Sequence, residues 1–190
     1  MIGPELERAT DGGACPHLAV LLRTEAELPS VLASFYGLGA KRNGWIVHRA
    51  LPGEGGVDRR MLADAGLDVD GLEAAGRLVV SEFDPDEGPQ ASADRWAAGL
   101  TEARTRGLAA LWYSRFAVGP ATAEFALVAA HEEAWDATFR DRPVVTLCPY
   151  VVGELDAAAT LERLDAVASF HEAVAIPGGD GFSLLGRTTF

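Results

Sequence analysis

The sequence is short of sulfur, short of positive charge and without long apolar runs, and each shortage closes off a class of protein. Only two cysteines are present in 190 residues, Cys15 and Cys148. That is too few for the disulfide framework of a small secreted domain and fits a reducing cytoplasm. Lysine and arginine number 16 against 28 acidic residues, for a formal net charge of -12. A surface of that sign repels nucleic-acid phosphates and anionic lipid headgroups, so neither direct nucleic-acid binding nor membrane attachment is expected. No stretch approaches the ~18 uninterrupted apolar residues of a membrane span, and the opening segment, with Glu5 and Glu7, lacks the apolar core of a signal peptide. The phosphate-cradling loops of nucleotide-binding domains are missing too. The nearest approach to a Walker loop, Gly37 to Gly44, falls between a helix and a strand, where its glycines stop one and turn into the other. No G-x-G-x-x-G follows the first apolar run, which leads into Arg23-Thr24-Glu25, and no G-x-S-x-G elbow supports a nucleophilic serine. Cys15 and His17 have a spacing that could share an ion, but no second pair sits at a recognisable interval, so neither a metal nor a cofactor is expected.

What is present is the material of one packed domain, with 48% hydrophobic residues. Apolar runs of strand length alternate with segments of helical period. The runs are His17 to Leu22, Gly44 to Arg49, Leu78 to Phe83, Leu108 to Ser114, Val144 to Cys148 and Ala173 to Ile176. Between them Leu28, Val31, Leu32, Phe35 and Leu38 recur at helical spacing, preceded by Thr24 and Glu27 as a capping box. Further helices are expected around Arg59 to Ala65, from Ser92 or Asp94 to about Gly107, over Ala121 to Phe139 and over Ala158 to Phe170. Strands separated by helices of ten or more residues make βαβ units, hence an α/β fold: a three-layer sandwich with a mostly parallel central sheet of about five strands. The expected organisation is a flexible segment over residues 1–14, the domain proper over 15–177, and a glycine-punctuated tail or edge hairpin over 178–190.

In such sheets ligands bind beyond the carboxyl ends of the strands. Those ends carry His48 and Arg49, Glu82, Ser114 and Arg115, and Cys148 with Tyr150, with Phe83, Trp112 and Phe116 nearby. These seven polar and reactive residues are the candidate ligand-binding set, and no catalytic residue is assigned. The competing reading is that Arg49, Arg115 and Glu82 merely pair on the surface. Pro149 cannot donate to a ladder, so pairing is expected to stop there and leave Cys148 and Tyr150 beside Arg115, whose charge would favour the thiolate.

The order of segments resembles the methanogen/methylotroph sensory domain, the MEDS or DcmR-like family. The resemblance rests on His17-Leu-Ala-Val-Leu-Leu followed by Thr24-Glu-Ala-Glu, on Ala65-Gly-Leu-Asp-Val-Asp70 with Leu72 to Val80, on Glu132 in the long helix, and on Leu147-Cys-Pro-Tyr150. It spans residues 15–177, and it departs from the family pattern after the fourth strand, where Ser114-Arg-Phe stands in place of an acidic and aromatic pair. The resemblance implies a fold akin to RecA and KaiC domains without a working phosphate loop. It also implies a stand-alone cytoplasmic sensory domain that binds a small organic ligand, such as a hydrocarbon derivative, and signals through a separate protein: a kinase, an anti-sigma factor or a transcription regulator. A homodimer is compatible with it. The alternatives are an enzyme using Cys148 or His48 in the same crevice, and an interaction scaffold. His17 and Glu132, although they match the family pattern, are expected to be structural: His17 at the end of the sheet away from the crevice, Glu132 facing polar backbone or solvent.

Overall fold

The computed structural model describes residues 2–11, 15–118, 124–153, 165, 167–177 and 182–186. The strands are β1 (His17–Leu22), β2 (Trp45–Ala50), β3 (Leu78–Glu82), β4 (Leu111–Arg115), β5 (Val144–Val151), β6 (Ala173–Pro177) and β7 (Phe182–Gly186). They form a seven-stranded sheet in the order β3-β2-β4-β5-β1-β6-β7. All pairings are parallel except that of β7, which runs antiparallel to β6 along the edge. The helices are α1 (Gly3–Ala9), α2 (Leu28–Lys41), α3 (Gly55–Asp64), α4 (Val69–Ala74), α5 (Pro89–Thr105) and α6 (Glu124–Phe139). Every residue of β1 and β2 is buried, as expected of parallel strands covered by helices on both sides.

Strand alternation sorts the core into two layers. Leu18, Val20, Leu22, Ile46, Trp112 and Leu147 point to one face and pack on α1 and α2. Trp45, Val47, Leu111 and Tyr113 point to the other, against Trp96 and Leu100 of α5 and Trp135 and Phe139 of α6. Helix α2 lies close to the sheet because Gly39 has no side chain there: a Cβ would stand 2.7 Å from Trp112 Cγ.

Three expectations are corrected. The segment over residues 1–14 contributes α1 instead of a flexible lead, because Ile2 and Leu6 lie one turn apart and bury one face in the core. Arg42 fastens its end, donating to Thr10 O at 2.7 Å and to Asp11 Oδ1 at 3.2 Å. The capping box does not form at Thr24. Glu27 instead accepts from the Arg23 amide at 2.7 Å, and a 3-10 turn over Glu25–Glu27 precedes α2, which Pro29 helps to start. The ladder does not stop at Pro149, because its N–H is not needed: Val20 and Leu21 of β1 still pair with Pro149 and Tyr150. The helix expected over Ala158 to Phe170 lies largely outside the described residues, of which 167–170 are helical.

Candidate functional site

Along β4 and β5 the residues facing α6 include Arg115, Cys148 and Tyr150, a cation, a thiol and a phenol set into an otherwise apolar layer. They tolerate that layer because α6 lowers one carboxylate onto them. Glu132 shares its helix face with Val128, Trp135 and Phe139, the spacing of a buried stripe, so its side chain is carried to the sheet. Arg115 Nη2 donates to Glu132 Oε1 at 2.8 Å, with side chains only 8% and 5% exposed. The Tyr150 hydroxyl donates to the same oxygen at 3.2 Å, and its ring lies 5.1 Å from the Arg115 guanidinium carbon.

The other carboxylate oxygen has different company. His17 Nε2 is 2.9 Å from Glu132 Oε2 and the Cys148 sulfur donates to it at 3.4 Å. His17 Nε2 and Cys148 Sγ are themselves 3.4 Å apart. His171, in the turn before β6, brings Nε2 to 3.9 Å from Oε2. Its ring centroid is 4.3 Å from that of His17, and its Nδ1 sits 2.6 Å from Val167 O. The ligating atoms of His17, Glu132, Cys148 and His171 all fall within 4.8 Å of one another.

Charge in this cluster is set by burial against pairing. Burial would favour the neutral acid, but Arg115 and the His17 hydrogen bond outweigh it and hold Glu132 well below the usual carboxylate range. Burial likewise works against the Arg115 cation, yet Tyr150 and Glu132 keep it firmly protonated. Burial, reinforced by the Glu132 charge, pushes the Cys148 thiol well up. The thiolate anticipated beside Arg115 is therefore corrected, because Glu132 captures the arginine. Burial and then His17 pull His171 down to about 4, so it is neutral.

A second group gathers at the carboxyl end of β2. Arg49 is 1% exposed, its guanidinium 5.5 Å from the Phe83 ring and 5.4 Å from Trp96. Nη1 donates to Ser92 Oγ at 3.3 Å and Nη2 lies 3.8 Å from Glu87, but Nε and Nη2 have no hydrogen-bond partner among the described residues. Across Phe83, His131 stacks edge-on with ring centroids 5.2 Å apart, and its Nε2 is also unpartnered. Burial, then the Arg49 charge, lowers the His131 pKa. Buried donors without acceptors cost free energy, and they point to an acceptor that completes them.

The remaining expected residues are not part of either group. His48 faces the α2 side, where Nδ1 meets the Tyr36 hydroxyl at 2.9 Å and Nε2 meets Asp58 at 2.7 Å. Ser114 donates to Leu147 O at 2.7 Å, and Glu82 accepts from the Gly55 amide at 3.3 Å. The single crevice imagined from strand ends is thus split by the sheet, since neighbouring residues such as His48 and Arg49 point to opposite faces. Spacing also hid the involvement of His17 and Glu132, expected to stand away from the site, and of His171, which no motif flagged. Two signals point to Glu132: its place on a buried helix stripe and its match to the family pattern, which His17 shares.

The sequence model of the family described as MEDS, MEthanogen/methylotroph, DcmR Sensory domain, matches residues 16–172. A search of curated proteins finds no match. Among solved structures the chain is similar to a KaiC-like protein from the hyperthermophilic archaeon Pyrococcus horikoshii OT3, with a TM-score of 0.54 and 14% identity, over 91% of this chain and 78% of that one. At that identity the likeness shows the fold alone, an α/β domain of KaiC type.

Proposed function

Since the chain belongs to the MEDS sensory-domain family, we propose that it is a sensory module for a small organic molecule bearing a hydrogen-bond acceptor, held by Arg49 at the carboxyl end of β2. The observation that supports this is the buried Arg49 guanidinium, whose Nε and Nη2 have no hydrogen-bond partner among the described residues and which is walled by Phe83 and Trp96. A planar cation between aromatic rings suits a small hydrocarbon derivative with one carboxylate, carbonyl or alcohol oxygen. Binding there would draw on α5, which carries Ser92 and Trp96, and on α6, which carries His131, so occupancy can be passed to a separate signalling protein docked on those helices. A cytoplasmic kinase, anti-sigma factor or transcription regulator is the partner class we assign. Binding is favoured over catalysis because the Cys148 thiol is held neutral and both nitrogens of His48 are occupied.

Native mass spectrometry of the protein as purified, followed by thermal shift with short-chain carboxylates, ketones, alcohols and halogenated hydrocarbons, tests the reading. A ligand at about a hundredfold over its Kd stabilises by roughly 2.7 kcal/mol, several degrees for a domain of this size. Arg49→Met should abolish the shift. If none of these compounds stabilises the folded wild type and no molecule is retained, the reading fails.

A further inference from the structure

We propose that His17, Glu132, Cys148 and His171 form a closed, buried site for one divalent transition metal, with zinc the ion their donors fit best. This does not rest on the sensory reading. Hydrogen bonding alone accounts for Glu132 and Cys148 but leaves His17 Nδ1 without a partner among the described residues, and it does not explain His171. Its Nδ1 lies 2.6 Å from the Val167 carbonyl, so that nitrogen carries the proton and Nε2 presents a lone pair. That lone pair is buried, has no hydrogen-bond partner among the described residues, and lies 3.9 Å from a carboxylate oxygen. A cation placed between these two groups would satisfy both, and the ligating atoms of all four residues lie within 4.8 Å of one another.

The spacing agrees. A tetrahedral zinc ion with Zn–N and Zn–O near 2.0–2.1 Å and Zn–S near 2.3 Å sets its ligand atoms about 3.3–3.6 Å apart. Here His17 Nε2 to Glu132 Oε2 is 2.9 Å, His17 Nε2 to Cys148 Sγ and Cys148 Sγ to Glu132 Oε2 are each 3.4 Å, and His171 Nε2 to Glu132 Oε2 is 3.9 Å. Small side-chain movements would bring all four atoms onto one centre. Outer contacts are already in place: Arg115 and Tyr150 occupy Oε1, leaving Oε2 for the metal, and Val167 fixes the His171 ring. Two imidazoles, a thiolate and a carboxylate oxygen select zinc over magnesium or calcium. Binding displaces the Cys148 thiol proton to solvent and uses the neutral His17 tautomer that carries its one ring proton on Nδ1, so that Nε2 can ligate. A small crevice lined by Cys15, His17, Trp135, Thr146 and Glu172 borders His17. With four protein ligands the site has no open position, so its role is to tie the start of β1, α6, β5 and the turn before β6 together.

The test is elemental analysis of the full chain expressed with zinc, then removal of metal with a strong chelator and titration with Co²⁺. We expect one zinc per chain surviving dialysis, and a cobalt spectrum with a thiolate charge-transfer band and intense tetrahedral ligand-field bands. Cys148→Ser should remove the charge-transfer band, and His171→Asn should weaken cobalt binding tenfold or more, while Cys15→Ser leaves both unchanged. Circular dichroism confirms that each variant is folded. Should a variant fail to fold, the wild-type cobalt spectrum decides alone. A folded wild type that purifies without stoichiometric metal and gives only the octahedral spectrum of aqueous cobalt overturns the proposal, as does a tetrahedral spectrum unchanged by Cys148→Ser.

Discussion

Replacing Arg115 by methionine removes a cation from a place where its partner cannot escape to water. Glu132 is 5% exposed, so with the Arg115 cation gone its carboxylate is either left uncompensated in the interior or forced to take up a proton, and both cost stability. Removing one member of a buried ion pair typically costs about 3–5 kcal/mol, because the remaining charge is stranded. Tyr150, His17 and Cys148 continue to donate to the carboxylate, which places the expected loss at the lower end, about 3 kcal/mol. For a domain of this length that corresponds to a fall in Tm of roughly 6–12 °C. The measurement is calorimetric or circular-dichroism melting with chelator present, so that metal affinity does not enter. The double variant Arg115→Met/Glu132→Gln neutralises both partners and should recover a large part of the loss, with a coupling energy of about 2–3 kcal/mol. A cost below about 1 kcal/mol for Arg115→Met, the range of exposed pairs, or no recovery in the double variant, would refute the account of this pair as buried and mutually dependent.

Other outcomes follow from separate features. Gly39→Ala drives a methyl group into the Trp112 ring and should lower stability by about 1–3 kcal/mol in denaturant titration. No loss would mean that α2 does not sit as close to the sheet. Burial raises the Tyr113 phenol to about 12, above its unfolded value of about 10, so its contribution is intact below pH ~10 and is lost as pH rises toward 12. Tyr113→Phe should therefore flatten part of the alkaline fall in stability, and an unchanged profile would show that other groups account for it. Cys148 is buried while Cys15 is partly exposed, so a thiol reagent should modify Cys15 in the native protein and Cys148 only on unfolding. Native-state modification of both would contradict the packing of β5 under α6.

The fold was legible because its signals are redundant. Five apolar residues in a row at Leu18–Leu22, with similar runs at intervals and amphipathic helices between, admit few arrangements other than a covered parallel sheet. The site was only half legible. Arg49, Arg115, Cys148 and Tyr150 enter the candidate set because strand ends in such sheets face ligands, but that rule says nothing about which face a side chain takes, so His48 and Ser114 are grouped with neighbours the sheet separates them from. Glu132 and His171 escaped for another reason. Their partners are distant in sequence, and local pattern cannot report that a helix lowers one carboxylate between a cation and two imidazoles. The N-terminal helix was missed because its buried contact is a single pair, Ile2 and Leu6, too short a period to stand out.

The central position of β1 has a consequence for biogenesis. Its neighbours in the sheet are β5 and β6, so His17 aligns with Thr146 and Leu18 with Ala173. The first strand to leave the ribosome therefore waits, apolar on both faces and with both edges unsatisfied, until more than a hundred further residues have been made. Loop closure over such a span is slow compared with helix formation, and the exposed strand is open to wrong pairing in the meantime. The domain should consequently fold after synthesis of β5 and not segment by segment. Ribosome-arrested nascent chains that end before Val144 are expected to be cleaved readily by protease, and chains carrying β6 beyond the exit tunnel to resist it. Protection of the shorter chains would mean that β1 finds a temporary partner among β2 to β4.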